Sequence, residues 1–296
     1  MNIKSYLEER RLQIESTLKQ VLPRPEGLLA DHINAVRYSV FAGGKRVRPI
    51  LAMATAEALE RNPEPYLPLI TSLELIHTYA LIHDDLPAMD DDDLRRGKPT
   101  NHKVFGEAAA ILAGDSLVSY AFELLSDPEI AVDLPDSSRM KILHTVSRAI
   151  GPRGMVGGQA LDIAYEDRKI PLETLRFLHS CKTGALIRSS VQTGAIIGKA
   201  GPQQFQALTN YADHIGLTFQ IVDDLLDVEG NTEKLGKSTG GDLARKKSTY
   251  PEHLGIEETH KKARDTVEKA LEALESFGRQ GDPLREIARF IYYRDN

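Results

Sequence analysis

Asp223-Asp224-Leu225-Leu226-Asp227 follows the apolar run Gly216 to Val222. At about 100° per residue, Gln220, Asp223, Asp224 and Asp227 fall on one face of a helix. Three carboxylates gathered there repel one another unless they are protonated or paired with cations, and hard oxygen donors suit Mg²⁺. Acids near a helix C-terminus also oppose its dipole, a second reason to expect a cation. The plainer structural reading is a solvated acidic face. An earlier cluster reads Asp84-Asp85-Leu86-Pro87-Ala88-Met89-Asp90 and runs on through Asp91, Asp92 and Asp93. On a continuous helix Asp84 and Asp90 would lie about 120° apart, too far round to share one small ion. Pro87 removes an N–H and crowds the carbonyl four residues back, so the spacing predicts a helix ending just after Asp85 and a chain that brings Asp90 back toward Asp84. Asp91 to Asp93 read as a solvated acidic turn. His77 precedes Asp84 by two helical turns and points to the same side, although a lone helical histidine is more often structural.

Basic groups answer these acids. In Gly43-Gly44-Lys45-Arg46-Val47-Arg48-Pro49, two glycines allow close backbone approach while Lys45 and Arg48 can converge on a phosphate. The order of a P-loop is missing, and a helix cap with solvated cations is an equal reading. Arg95 and Arg96 follow the first acidic cluster, and Lys182-Thr183, Lys237 and Lys246-Lys247 lie further on. Cations so close to metal-type carboxylates imply a substrate that brings its own negative charge, such as a diphosphate.

Helices must position these groups. Apolar residues recur at helical spacing at Ile3, Leu7, Ile14 and Leu18, at Leu29, Ile33, Val36 and Val40, and at Leu69, Leu73, Ile76 and Ala80, with no sustained strand alternation. Breaks fall at Pro23 to Pro25, at Asn62 to Pro65, across 126–138, at Gly151-Pro152 and across 229–251. No low-complexity linker or short repeat divides the 296 residues, so residues 1–296 read as a single all-α domain of about ten helices. The net charge of −6 hides an imbalance: nine of the 43 acids sit in the two aspartate clusters, and the rest of the chain balances 37 cations against 34 acids. Concentrated acidic patches on a mildly basic body fit bound cations better than nucleic acid. Apolar runs are interrupted before the length of a bilayer span, the start lacks a signal-peptide core, and the one cysteine, Cys181, fits a reducing compartment. The expectation is a cytoplasmic protein without membrane insertion.

The ordered set Gly-Gly-Lys-Arg-Val-Arg-Pro, His77, Asp-Asp-x-x-x-x-Asp with Leu-Arg-Arg-Gly-Lys-Pro-Thr, Gly157-Gly158-Gln159-Ala160-Leu161-Asp162, Lys182-Thr183-Gly184, Phe219 to Asp227, and Asp242 through Lys247 to Pro251 resembles the bacterial-type short-chain trans-isoprenyl diphosphate synthases of the polyprenyl synthetase family. The resemblance covers roughly residues 25–296 and is closest to the farnesyl-forming members. It implies an isoprenoid-synthase-type helical bundle around a central cavity, usually a homodimer, with the two aspartate motifs facing each other. Asp84, Asp90 and Asp223 would hold about three Mg²⁺ ions, with Mn²⁺ an admissible substitute, and Asp85, Asp224 and Asp227 would support them. Arg95, Lys182, Thr183, Gln220, Lys237 and Lys247 match positions around an allylic diphosphate, with Phe219 beside them, and Lys182 and Lys237 join the catalytic set. Lys45, Arg48, His77 and Arg96 match positions around isopentenyl diphosphate. Many relatives end on a basic residue, whereas here only Arg294 near the C-terminus is basic.

Ionising an allylic diphosphate without a nucleophile demands stabilisation of the leaving anion and exclusion of water from the cation, which clustered cations and apolar helix faces supply. The double bond of isopentenyl diphosphate then attacks C1 and loses a proton. In the resembling family the residues just before the first aspartate motif form the floor of the chain pocket. Ala80 and Tyr79 lie about 6 and 7.5 Å down the helix from Asp84. The bulk of Tyr79 favours a C15 product, with geranylgeranyl diphosphate synthesis as the alternative. A terpene cyclase, a helical metal-dependent phosphohydrolase and a non-catalytic partner subunit are more remote: the first needs no isopentenyl site, the second needs more histidines, and the third would not keep both aspartate motifs.

Overall fold

The computed structural model describes residues 1–229 and 248–293. Lys237, Asp242, Lys246, Lys247 and Arg294 lie outside them. The described residues are helical almost throughout, with twelve helices of eight residues or more. In chain order these are α1 (Ile3–Val21), α2 (Ala30–Val40), α3 (Val47–Ala58), α4 (Leu67–Asp84), the short α5 (Asn101–Phe105), α6 (Glu107–Ser126), α7 (Asp136–Ile150), α8 (Met155–Ala164), α9 (Leu172–His179), α10 (Ala185–Ile197), α11 (Pro202–Glu229), the short α12 (Tyr250–Leu254), α13 (Ile256–Glu272) and α14 (Asp282–Tyr293). One turn of π-helix, Ser180–Gly184, joins α9 to α10. The all-α expectation holds, and the only strands among the described residues are a two-residue pair, β1 (Leu94–Arg95) and β2 (Lys98–Pro99).

The chain forms two compact units and passes between them within α1, α3 and α7 and in the loop between Asn62 and Pro63. The first comprises Lys4–Ile50 and Pro63–Leu143. Its centre is α4, which is apolar on nearly every side and buries Leu69, Ile70, Leu73, Leu75, Ile76 and Ile82, as a core helix must. Pro68 opens α4 with a missing N–H that no intrahelical bond requires. Its main partner is α6. By length and composition alone, α6 could cross a membrane, with a mean hydropathy of 1.4. It uses Ala110, Ala113, Gly114, Leu117 and Ala121 against the core while Ile111 and Leu112 stay exposed.

The second unit comprises Met1–Ile3, Leu51–Asn62 and His144–Asn296. Within it α11 packs on α10 and α13. Ile221, Val222 and Leu225 of α11 join Ile170, Leu175, Tyr250 and Ala263 in one apolar cluster.

Candidate active site

In the first unit α4 stops at Asp84, and the chain turns through Leu86 and Pro87. The Asp90 N–H donates to the Asp84 carbonyl at 2.8 Å, and the Asp91 N–H donates to that of Leu86 at 3.1 Å. The turn demanded by Pro87 therefore forms and brings Asp90 back to Asp84, both half-buried. Asp85 is directed elsewhere. It is 3% exposed and accepts a hydrogen bond from Arg95 Nε at 2.6 Å. Asp92 pairs with Arg95 and the exposed Asp93 with Lys103, so the acidic turn of 91–93 is a surface feature.

Arg95 and Arg96 are presented by the β1–β2 hairpin, in which Arg95 faces Lys98. Arg96 and Gly97, with φ of +55° and +73°, make the two-residue turn whose twist suits a hairpin. Burial alone would lower the Arg95 guanidinium, but the hydrogen bond and charge of Asp85 outweigh it and its pKa is raised. Burial lowers the pKa of Arg96. Arg96 Nη1 donates to the Gly43 carbonyl, and its guanidinium lies where a Cβ on Gly44 would be, so the second glycine of Gly-Gly-Lys-Arg serves this arginine. Lys45 is exposed and Arg48 half-buried, while Arg46 between them is buried. His77 on α4 has its pKa pushed well below 6.5, first by burial, then by the charges of Arg48, Arg96, Arg95 and Arg46. Of these four guanidiniums, Arg46 and Arg95 are paired with Glu74 and Asp85.

Tyr79 and Ala80 are half-buried on the same helix. The Tyr79 ring meets that of His83 edge-on at 5.2 Å, and burial together with the charges of Asp84 and Asp115 raises its pKa.

In the second unit, the π turn sets Lys182 and Thr183 on its surface. Lys182 Nζ pairs with Asp162 Oδ2 of α8 at 2.7 Å, and Thr183 Oγ1 donates to Gln220 Oε1 at 2.9 Å. The amide of Gln220 reaches on to Asp223 Oδ2 at 3.4 Å. Gln220, Asp223 and Asp227 are all partly exposed, with Phe219 beside them. Asp224 stands at the edge of that face, about 40° from Gln220 and next to Ile221 and Leu225, which enter the core. Packing covers that edge: Asp224 is 6% exposed and accepts the Tyr250 N–H at 2.8 Å. Burial pushes the Tyr250 phenol up to about 12.

Sequence reasoning passed over three partners: Glu74, buried against Arg46 at 2.8 Å; Asp162, which holds Lys182; and Tyr250, which holds Asp224. Their separations of 28, 20 and 26 residues leave no local pattern. Asp162 and Tyr250 lie within motifs that carry the family resemblance, which do not reveal what each residue holds.

Among the described residues, no three His, Cys, Asp or Glu side chains form a ready-made ion cage. Mg²⁺ keeps several waters and is held by one or two carboxylates together with substrate phosphates. Asp84 and Asp90, joined by the turn, fit that donor set.

The family model described as polyprenyl synthetase matches residues 31–282. The chain belongs to the polyprenyl synthetase family. It is by that membership a prenyltransferase, in a family that is generally metal-dependent and uses isopentenyl and allylic diphosphates. The chain is 44% identical over 296 residues to a farnesyl diphosphate synthase of Geobacillus stearothermophilus, covering 100% of this chain and 99% of the relative. It is 45% identical over 296 residues to a geranylgeranyl diphosphate synthase of Cyanophora paradoxa, covering 100% and 97%. Among solved structures it resembles an apo FPP/GFPP synthase of Zymomonas mobilis, with a TM-score of 0.87 and 40% identity over 98% of this chain and 99% of that one.

Proposed function

We propose that this polyprenyl synthetase family member condenses isopentenyl diphosphate head-to-tail with dimethylallyl and then geranyl diphosphate, giving (E,E)-farnesyl diphosphate. The observation that carries this reading is the turn that closes Asp90 onto Asp84, with the guanidinium of Arg95 held on the neighbouring Asp85. Full-length similarity to farnesyl diphosphate synthases supports it. Asp84, Asp90 and Asp223 are the ligands of about three Mg²⁺ ions, with Asp227 beside them; Asp85 supports the set by holding Arg95, and Asp224 by holding the Tyr250 backbone. When bound, the ions neutralise the leaving diphosphate. Arg95, Lys182, Thr183, Gln220, Lys237 and Lys247 bind the allylic diphosphate, and Phe219 lies alongside. Asp162 orients Lys182, and Gln220 orients Thr183. Lys45, Arg48, His77 and Arg96 bind isopentenyl diphosphate; His77, uncharged, contributes as a hydrogen-bond partner. Preorganised cations positioned on a developing anion are the main catalytic term.

Tyr79 favours the C15 product over C20, although relatives of the latter kind are equally similar. We take residues 1–296 as one prenyltransferase domain, because the family model runs through both units. The exposed Ile111 and Leu112 on α6, with Val104 nearby in sequence, support a homodimer, and the family resemblance a cytoplasmic location.

One incubation with Mg²⁺, dimethylallyl diphosphate and isopentenyl diphosphate tests the reading. A C15 prenyl product and diphosphate release that requires isopentenyl diphosphate are expected. Release without it would indicate a hydrolase or cyclase, and no release at all a non-catalytic subunit.

A further inference from the structure

Arg46 and Glu74 are 2% and 1% exposed, the charged residues buried most deeply around the basic loop. Arg46 lies between Lys45 and Arg48, and Glu74 sits on α4 one helical turn before His77. Arg46 Nη1 donates to Glu74 Oε1 at 2.8 Å and Nη2 to the Val40 carbonyl, at the end of α2, at 2.6 Å. Glu15 of α1 approaches Nη2 at 3.7 Å. Arg46 holds a left-handed backbone, with φ of +52°.

As a source of stability the pair is poor. Both charges leave water, and Arg46 Nε and Glu74 Oε2 are buried without a hydrogen-bond partner among the described residues. A buried pair with incomplete hydrogen bonding is often no better than an apolar substitute. Its geometric effect is clearer. A rigid two-pronged cation joins the middle of the basic loop to the helical turn just before His77, so the loop cannot shift along α4 without stretching the pair.

We propose that the buried Arg46–Glu74 pair is the positioning device of the isopentenyl diphosphate site, fixing Lys45 and Arg48 relative to His77 while touching no substrate. The inference rests on the proposed assignment of Lys45, Arg48 and His77 to that substrate.

Glu74→Gln keeps the shape and removes the charge, and Arg46→Lys keeps the charge and removes the fork. For both variants the KM values for isopentenyl diphosphate and geranyl diphosphate are measured beside a thermal melt. The KM for isopentenyl diphosphate should rise about 10- to 100-fold, the cost of misplacing binding groups by about an ångström. The KM for geranyl diphosphate should stay within about twofold, as for loss of contacts to one substrate alone. Equal rises in both KM values, a lowered melting temperature with both KM values unchanged, or failure of both variants to fold would assign the pair to stability and overturn the proposal. Arg48→Ala separates the two levels. If it leaves the isopentenyl KM unchanged, the site assignment fails; if it raises that KM and Glu74→Gln does not, the positioning role alone fails.

Discussion

Replacing Gly158 by Ala tests how the allylic-site lysine is held. Gly158 is buried on α8, and a Cβ built there would lie 2.7 Å from the Lys182 Cα and closer still to its backbone nitrogen. Ordinary contact needs about 3.5–4 Å, and both neighbours are backbone in a close-packed interior, so the π turn must retreat by about 1 Å. Overpacking of this kind costs about 1–3 kcal/mol. In a chain of this size that corresponds to a melting temperature lower by roughly 2–5 °C. The same retreat draws Lys182 from Asp162, now 2.7 Å away. Misplacement of a binding cation by that amount should lower kcat/KM for geranyl diphosphate by up to about 100-fold. Gly201→Ala, where a Cβ would meet nothing nearer than 3.7 Å, serves as the control and should alter neither quantity. Circular-dichroism melts and steady-state kinetics read both effects. Wild-type stability and kcat/KM in Gly158→Ala would refute the argument that this glycine is required by the approach of the π turn.

Asp84→Ala should lower turnover by roughly 1,000-fold or more while the far-ultraviolet spectrum stays helical, because the lost carboxylate contributes to charge stabilisation and not to the core; near-normal turnover would remove Asp84 from the ligand set. Tyr79→Ala should shift the chromatographed products from C15 toward C20 or longer, and an unchanged C15 product would place the pocket floor elsewhere. His77 supplies a pH test. Its folded pKa lies below the ordinary 6.5, so below that pH the unfolded chain takes up a proton that the folded chain refuses, and stability falls as the pH drops. Unfolding free energies from urea titrations between pH 7 and 5 should fall more steeply in wild type than in His77→Gln, by up to about 1.4 kcal/mol per pH unit; parallel curves would contradict the neutral histidine.

What could be read from the chain depended on distance along it. Pro87 is local, and the turn that it forces is present as the spacing required. The helical face shared by Gln220, Asp223 and Asp227 also follows from periodicity. Asp224 does not, because azimuth defines which residues neighbour one another on a helix but not which side of it the core will cover. The same limit hid the Arg46–Glu74 pair. Arg46 reads as one more solvated cation until α4 is packed against it. The double glycine was legible as a point of close approach, but not that Arg96 is the group that approaches Gly44. In each case the missing information is the tertiary partner, which contributes no repeat or motif of its own.

The π turn at Ser180–Gly184 constrains how the chain can change length. A π turn holds one residue more than the α-helical turn that would replace it. Deleting one of its five residues would let the segment relax into regular helix and keep α10 in register, because the turn already carries the extra residue. Inserting a further residue would instead rotate everything after it by about 100°. Buried Leu186, Val191 and Ile197 of α10 would then swing out of the core. In any library or grafting scheme, this stretch tolerates the loss of one residue and not the gain of another.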